Sequence, residues 1–361
     1  MKNKKIIFVT LIFTLALTSC SNNNDNSKTN ISSKEILNEQ AKKDSQAKKV
    51  EVIKISKKLN AEDLKKYKPN ELGLVMLLEY HSIARPEARW SRTPENFRKD
   101  LETLYKQGYY LVPFRDFVLN KMDVPLGKSP LVLTFDDSRE DQFRYIKKGK
   151  EIVKIDPECG VGIIEDFSKK HPDFGKAATF YVLPYVAFGQ TKEDGKKKFA
   201  FLASNGYEIG NHTVNHPMLP TLSDEKVVKE IAGNVEGVQK LLPKYEVNTL
   251  AYPFGGVPKN LKLAEQGEYK GTKYKNIAAL LVGSEPSYSP NSKKFKPMLL
   301  PRIQAIQSEF TRHFALFKSI PGYKYISDGN KETITIPNNL PEGIKNTLRE
   351  DLKNNKKLIR Y

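Results

Sequence analysis

The stretch Leu131-Val132-Leu133-Thr134-Phe135-Asp136-Asp137-Ser138 decides the fold. Its first five residues form an apolar run of strand length, the pattern of a strand buried on both faces of a parallel sheet. Two adjacent carboxylates follow at the strand's end, where parallel α/β folds collect ligands and catalytic groups. Neighbouring carboxylates repel unless a cation separates their tasks, so one is suited to a metal and the other to protons. Asp-Asp-Ser is also an ordinary turn, and the run alone does not make a site.

Working upstream, Leu74 to Leu78 is a second apolar run, ending at Glu79-Tyr80-His81. A helix follows, with Thr93 as cap, Pro94 at its first position, Phe97, Leu101 and Leu104 at helical spacing, and Gly108 as its stop. Tyr109 to Val112 is the next strand. Downstream, strands are predicted at Ala178 to Val182, Tyr207 to Gly210, Thr249 to Tyr252, Ala278 to Val282 and Met298 to Ile303. Between them, Ser223 caps a helix whose Val227, Ile231, Val235, Val238 and Leu242 form one stripe, with Asp224 and Glu225 against the helix dipole. Strands alternating with helices define an α/β fold with a parallel sheet, open or closed into a barrel. The segment 138–176 is long for one connection and reads as an insertion near the site.

The chain has 361 residues, 39% of them hydrophobic, enough for one large domain, and no internal repeat stands out. Its formal charge of +18 points to an anionic neighbourhood such as a membrane surface or an acidic wall polymer. Nucleic acid is the rival partner, but the lysines are scattered and no binding motif accompanies them, so none is expected. Lys2, Lys4 and Lys5, the apolar run Ile6 to Leu17, and Thr18-Ser19-Cys20 have the layout of a secretory signal too short to span a membrane. Leu17-Thr18-Ser19-Cys20 resembles the bacterial lipobox, which implies lipid on Cys20 and a lipid-anchored protein on the outer face of the bacterial membrane; an ordinary signal with a chance cysteine is the plainer reading. Residues 1–20 are thus a leader, 21–70 a polar tether, and 71–361 the folded domain, expected as a monomer. Cys159 is the other of two cysteines, so no internal disulfide is expected once Cys20 is lipidated.

Gly210-Asn211-His212-Thr213-Val214-Asn215-His216-Pro217 supplies partners for the carboxylates. Two histidines four residues apart share one side of a helical turn, and neutral imidazoles suit a divalent transition metal. Asp137, His212 and His216 would be three ligands with an open position, the arrangement of a catalytic Zn²⁺ site, with Co²⁺ or Ni²⁺ also served.

From about Leu74 to Ile303 the sequence resembles the polysaccharide deacetylases of the NodB-homology group, carbohydrate esterase family 4. The resemblance rests on Thr134 to Ser138, His212 to Pro217, Ala251-Tyr252-Pro253-Phe254-Gly255 and Leu300-Pro301-Arg302-Ile303, in this order. It implies an irregular (β/α) barrel, commonly of seven strands, with Asp136 as catalytic base and Asp137, His212 and His216 holding the metal. The family's third motif usually opens with an arginine that pairs with the base, and this chain has Ala251 there. Arg302 is the substitute by position; a surface or structural arginine is the equal alternative. The usual C-terminal histidine acid is also missing. Glu79-Tyr80-His81-Ser82-Ile83, followed by Thr93 to Phe97 and Gly108-Tyr109, resembles the branch that includes deacetylases of exported poly-N-acetylglucosamine, where the Tyr-His histidine acts as acid; the alternative is a buried histidine bonded to backbone.

The resemblance therefore implies a metal-dependent N-deacetylase acting on N-acetylglucosamine units of a cell-surface or cell-wall polysaccharide, with backbone N–H groups near Tyr252, Pro253 and Phe254 stabilising the oxyanion. An O-acetyl esterase using the same site and a non-catalytic glycan-binding lipoprotein, which Ala251 keeps open, are the alternatives.

Overall fold

The structure is a computed structural model that describes residues 59–361 apart from 190, 191 and 355. The leader, Cys20 and most of the expected tether lie outside the described residues. The tether's last stretch is ordered: Ala61–Tyr67 is a helix, closed by a capping box in which Asn60 and Asp63 accept each other's backbone N–H.

Eight strands build one parallel sheet: β1 (Met76–Tyr80), β2 (Tyr109–Leu111), β3 (Ser129–Phe135), β4 (Thr179–Val182), β5 (Glu208–Asn211), β6 (Thr249–Ala251), β7 (Ala278–Leu280) and β8 (Ile303–Gln304). Seven follow one path, β7-β6-β5-β4-β3-β1-β8, and β2 branches from it. β2 pairs with the first half of β3 and β4 with its last two residues, so both share one edge. The sheet curls until Leu280 of β7 bridges Leu300, which leads into β8. The result is the curled parallel α/β half-barrel that the motif order implied. The predicted last strand is shortened. Pro297–Leu299 is a 3₁₀ turn, Leu300 makes an isolated bridge and the ladder proper is confined to Ile303–Gln304, because Pro297 and Pro301 cannot donate to a ladder.

Strand periodicity separates two cores. Met76, Leu78, Tyr80, Leu131, Leu133 and Phe135 point outward to the helices. Val75, Leu77, Val132, Tyr181, Ala251, Leu280 and Leu300 point into the barrel. Continuing that alternation puts Glu79 and His81 of the first run, and Thr134 and Asp136 of the second, on the interior face at the strands' C-terminal mouth. The outer layer includes α1 (Pro94–Lys106), α2 (Gly160–Lys170), α3 (Lys192–Ser204), α4 (Asp224–Leu241) and α5 (Gln307–Ser319). Thr93 caps α1 at 3.2 Å and Phe97, Leu101 and Leu104 are buried, each contributing roughly 1.5–3 kcal/mol. Ser223 occupies the N-cap of α4 without a side-chain bond, leaving Asp224 and Glu225 to answer the dipole.

Within 138–176, α2 buries Val161, Ile163, Ile164 and Phe167 and carries the chain from β3 to β4 as an ordinary crossover. The addition to that crossover is the exposed hairpin Tyr145–Lys148 with Glu151–Ile155. Cys159 is buried as the N-cap of α2, its sulfur accepting from Gly162 N–H at 3.4 Å. The C-terminal segment closes the opposite end of the barrel. Thr333–Ile336 pairs with Lys357–Arg360, and Ile334, Ile336 and Leu348 pack on Leu72 ahead of β1.

Candidate metal and catalytic site

β3 delivers Asp136 still in register, its N–H bonded to Tyr80 O at 3.0 Å, and then the chain breaks away. Asp137 and Ser138 both adopt positive φ (71° and 46°), which turns the second carboxylate toward the mouth. The two aspartates thus leave the strand in different directions and are free to take different tasks.

His212 and His216 do meet, but not on a helix. They lie on an irregular loop after β5 with positive φ at Thr213 (64°) and His216 (54°). Other side chains hold this loop: Asn211 accepts from Thr213 N–H, Asn234 donates to Val182 O and Thr213 O, and Glu230 accepts from Val214 and Asn215 N–H. Glu230 and Asn234 belong to α4 and escaped the sequence reading, which took that helix for its apolar stripe alone.

The ligand set fits a metal. Asp137 Oδ1 lies 3.4 Å from His212 Nε2 and 3.5 Å from His216 Nε2, too long for good hydrogen bonds. Tetrahedral ligands at Zn distances of about 2.0–2.1 Å would sit about 3.4 Å apart. His212 Nδ1 pairs with Ala251 O at 2.9 Å, and its buried Nε2 has no hydrogen-bond partner, the orientation that leaves a lone pair for a cation. Burial, reinforced by the neighbouring His212, lowers the pKa of His216, whereas the Asp136 and Asp137 carboxylates raise that of His212 against its burial. A second group, Glu79, His81 and Asp136, could also surround an ion. Its two carboxylates are already engaged by Arg302, so it is the poorer candidate.

Arg302 supplies the guanidinium that Ala251 cannot. It is fully buried and grips Asp136 in a fork, NH1 to Oδ1 at 2.8 Å and NH2 to Oδ2 at 2.6 Å. NH2 also donates to Glu79 Oε1 at 3.1 Å, NH1 to Thr134 Oγ1 at 3.0 Å, and Nε to Leu281 O at 2.9 Å. Burial would raise the Asp136 pKa, but Arg302 and His212 hold it well below the usual carboxylate range. Glu79, unassigned by the sequence reading, was signalled by a charged residue two positions from His81 on the same strand face.

His81 sits across the mouth with its ring 4.6 Å from Trp90, and burial lowers its pKa. Its buried Nδ1 has no partner; Gln142 instead donates to the backbone carbonyls of His81 and Asp136, tying the two strand ends together. The cleft over these groups has a volume of about 910 Å³. Trp90 walls one side at 40% exposure, and Phe254, at 62%, stacks its edge on His216 at 4.4 Å. Nothing in the spacing of the lone tryptophan announced it.

The Tyr252-Pro253-Phe254 run divides. Tyr252 N–H donates to Leu280 O at 3.0 Å, and Tyr252 OH to Met298 O, so this residue is structural rather than an oxyanion donor. Pro253 has no N–H. Of the three, only Phe254 can offer a backbone donor to the cleft. His171 lies away from the site, stacked between Tyr105 and Phe167.

The curled parallel sheet brings the paired aspartates and the histidine pair together at its mouth, the arrangement expected of the NodB-homology fold. Residues 171–272 match the family model described as polysaccharide deacetylase. Solved structures with similarity include the Streptococcus pyogenes deacetylase PplD in complex with acetate, at 19% identity and a TM-score of 0.48, covering 66% of this chain and 97% of that one. IcaB from Ammonifex degensii matches at 16% identity and a TM-score of 0.47, covering 67% and 96%. A Bacillus cereus polysaccharide deacetylase matches at 19% and 0.48, covering 66% and 68%. The family supports hydrolytic deacetylation of a polysaccharide.

Proposed function

We propose that this protein is a metal-dependent N-deacetylase that removes acetyl groups from N-acetylglucosamine units of a cell-surface or cell-wall polysaccharide. The observation that carries the reading is Asp136, forked by buried Arg302, beside the Asp137, His212 and His216 ligand set. A divalent ion held by those three residues, most suitably Zn²⁺, supplies Lewis-acid polarisation of the acetyl carbonyl and of a water.

The chain's own groups then have separate tasks. Asp136, kept ionised by Arg302, takes the proton from water. Phe254 N–H, the one backbone donor left among Tyr252, Pro253 and Phe254, would receive the developing oxyanion, and the Trp90 and Phe254 faces, which line the cleft, would offer apolar surface to a sugar ring. His81, when protonated, gives its proton to the departing amine. An amine needs that acid more than an alkoxide does, which favours amide over ester cleavage. Arg302 on Asp136 also weighs against the non-catalytic reading that Ala251 raised.

The test is acetate release from defined glycans after chelation and metal add-back. An N-acetylglucosamine oligomer should release acetate and acetylated xylan should not; the reverse pattern establishes the O-acetyl esterase instead. Asp136→Asn should lower the rate by about 10²–10⁴-fold. If it leaves the rate of a metal-loaded preparation unchanged, the catalytic assignment is wrong. We further propose that Cys20 anchors the protein by lipid to the outer face of the membrane. Cys20→Ala should move it from the membrane fraction to the medium, and persistence in the membrane would sink that proposal.

A further inference from the structure

Three arginines line the cleft: Arg85, Arg89 and Arg139. Away from it, the partly exposed Arg98, Arg144, Arg312 and Arg349 each lie 2.5–2.7 Å from a carboxylate. Arg85 is likewise shared between Glu95 and Glu158. Arg89 and Arg139 differ. Arg89 makes no ion pair among the described residues; its guanidinium lies over the Trp90 ring, 5.0 Å from the centroid. Arg139 comes only within 3.9 Å of Asp141, beyond hydrogen-bond reach, and Asp141 already accepts from Ser82 Oγ at 2.5 Å and Ile83 N–H at 2.8 Å. The other carboxylates lining the cleft are Asp136, held in the Arg302 fork, and Asp137, facing the two histidines. Two guanidinium groups therefore line the cleft with no carboxylate of the protein to fill them. An N-acetylglucosamine unit is uncharged and would leave them unfilled as well.

We propose that the cleft takes the acetylated sugar as part of a negatively charged glycan, with Arg89 and Arg139 receiving carboxylate or phosphate groups carried by sugars beside the one that is deacetylated. The inference deepens the deacetylase reading above and rests on it. Room for neighbouring units is present: the cleft's volume of about 910 Å³ is at the upper end of the roughly 300–1,000 Å³ that holds a drug-sized ligand. The chemistry also matches. A guanidinium presents a planar fork of donors to two oxygens of one carboxylate or phosphate, and stacking on Trp90 orients that of Arg89 in advance, so less freedom is lost when the anion arrives. The formal charge of +18 attracts a polyanion to the whole surface without choosing a place on it. Unpaired arginines in the cleft make that choice.

The experiment compares kcat/KM for acetate release by the metal-loaded protein from three oligomers of equal length: neutral N-acetylglucosamine, one whose alternate sugars carry a carboxylate, and one whose alternate sugars carry a phosphate. At least one charged oligomer should exceed the neutral one by about tenfold, and the arm that does so identifies the anion. Combining Arg89→Gln with Arg139→Gln should bring that ratio close to one, chiefly through KM. Combining Lys357→Gln with Arg360→Gln removes the same charge from the strand pair at the opposite end of the barrel and should leave the ratio standing. A wild type that prefers neither charged oligomer overturns the proposal. So does a preference that survives loss of both cleft arginines, or one that falls equally with the distant pair. A wild type that releases acetate from none of the three sinks the deacetylase reading and this inference with it, whereas equal release from all three sinks the inference alone.

Discussion

Arg302 and His81 reach the same mouth from opposite ends of the domain sequence, and their chemistry sets two expectations. His81 matters in proportion to the basicity of the leaving group. His81→Gln should lower amide cleavage by about 10²–10⁴-fold and cleavage of an activated aryl acetate, whose phenolate needs no proton, far less. Equal losses on both substrates would show that His81 shapes the site rather than protonating the amine. The buried charges also make stability depend on pH. Glu79 has a folded pKa near 7 against an unfolded value of about 4.3, so between these the native state holds a proton that the unfolded chain has lost. Its contribution to stability therefore falls as pH rises through that window and is level above it. Glu79→Gln, which never ionises, should gain on the wild type across the window, by on the order of 1 kcal/mol per pH unit. Chemical unfolding at several pH values checks this, and parallel curves for the two proteins would refute it.

At the scale of elements, the junctions around the site depend on local backbone that tolerates little. Gly162 opens α2 where a Cβ would fall on the carbonyl of Asp156, a backbone atom that cannot yield as a side-chain end would. Gly162→Ala should cost about 1–3 kcal/mol in thermal unfolding by overpacking this turn. A change below a few tenths would show that the segment before α2 shifts freely. α1 and α4 were legible because caps, apolar spacing and stop signals agreed: Thr93, Pro94 and Gly108 bound one, and the Val227 to Val238 stripe marks the other. β8 was not. Its prolines interrupt an apolar run that composition alone reads as continuous strand. The histidine pair shows the opposite case, with the right residues and the wrong local structure: Asn211, Asn234 and Glu230 hold His212 and His216 together on a loop that helical spacing cannot describe.

For the whole molecule, the strongest expectation concerns the metal. The three ligands come from two different strand ends, so an ion that binds only the folded state stabilises it by about 2.7 kcal/mol at a hundredfold excess over Kd. Chelation should lower Tm and Zn²⁺ add-back restore it, while Asp137→Ala should abolish the metal-dependent shift. A Tm indifferent to chelator would remove Asp137, His212 and His216 as a binding set. What the sequence by itself determined was everything carried by local order: strands alternating with helices, two aspartates at a strand's end, and a histidine pair spaced for one ion. Only the tertiary structure decided which arginine serves Asp136, that Glu79 shares it, that Tyr252 is spent on the sheet while Phe254 faces the cleft, and that Trp90 walls the opening. The reason is distance along the chain. Arg302 lies more than 160 residues from Asp136 and 220 from Glu79. Neither strand length nor helical period encodes such a contact; the closing of the curled sheet, which sets β8 beside β1, creates it.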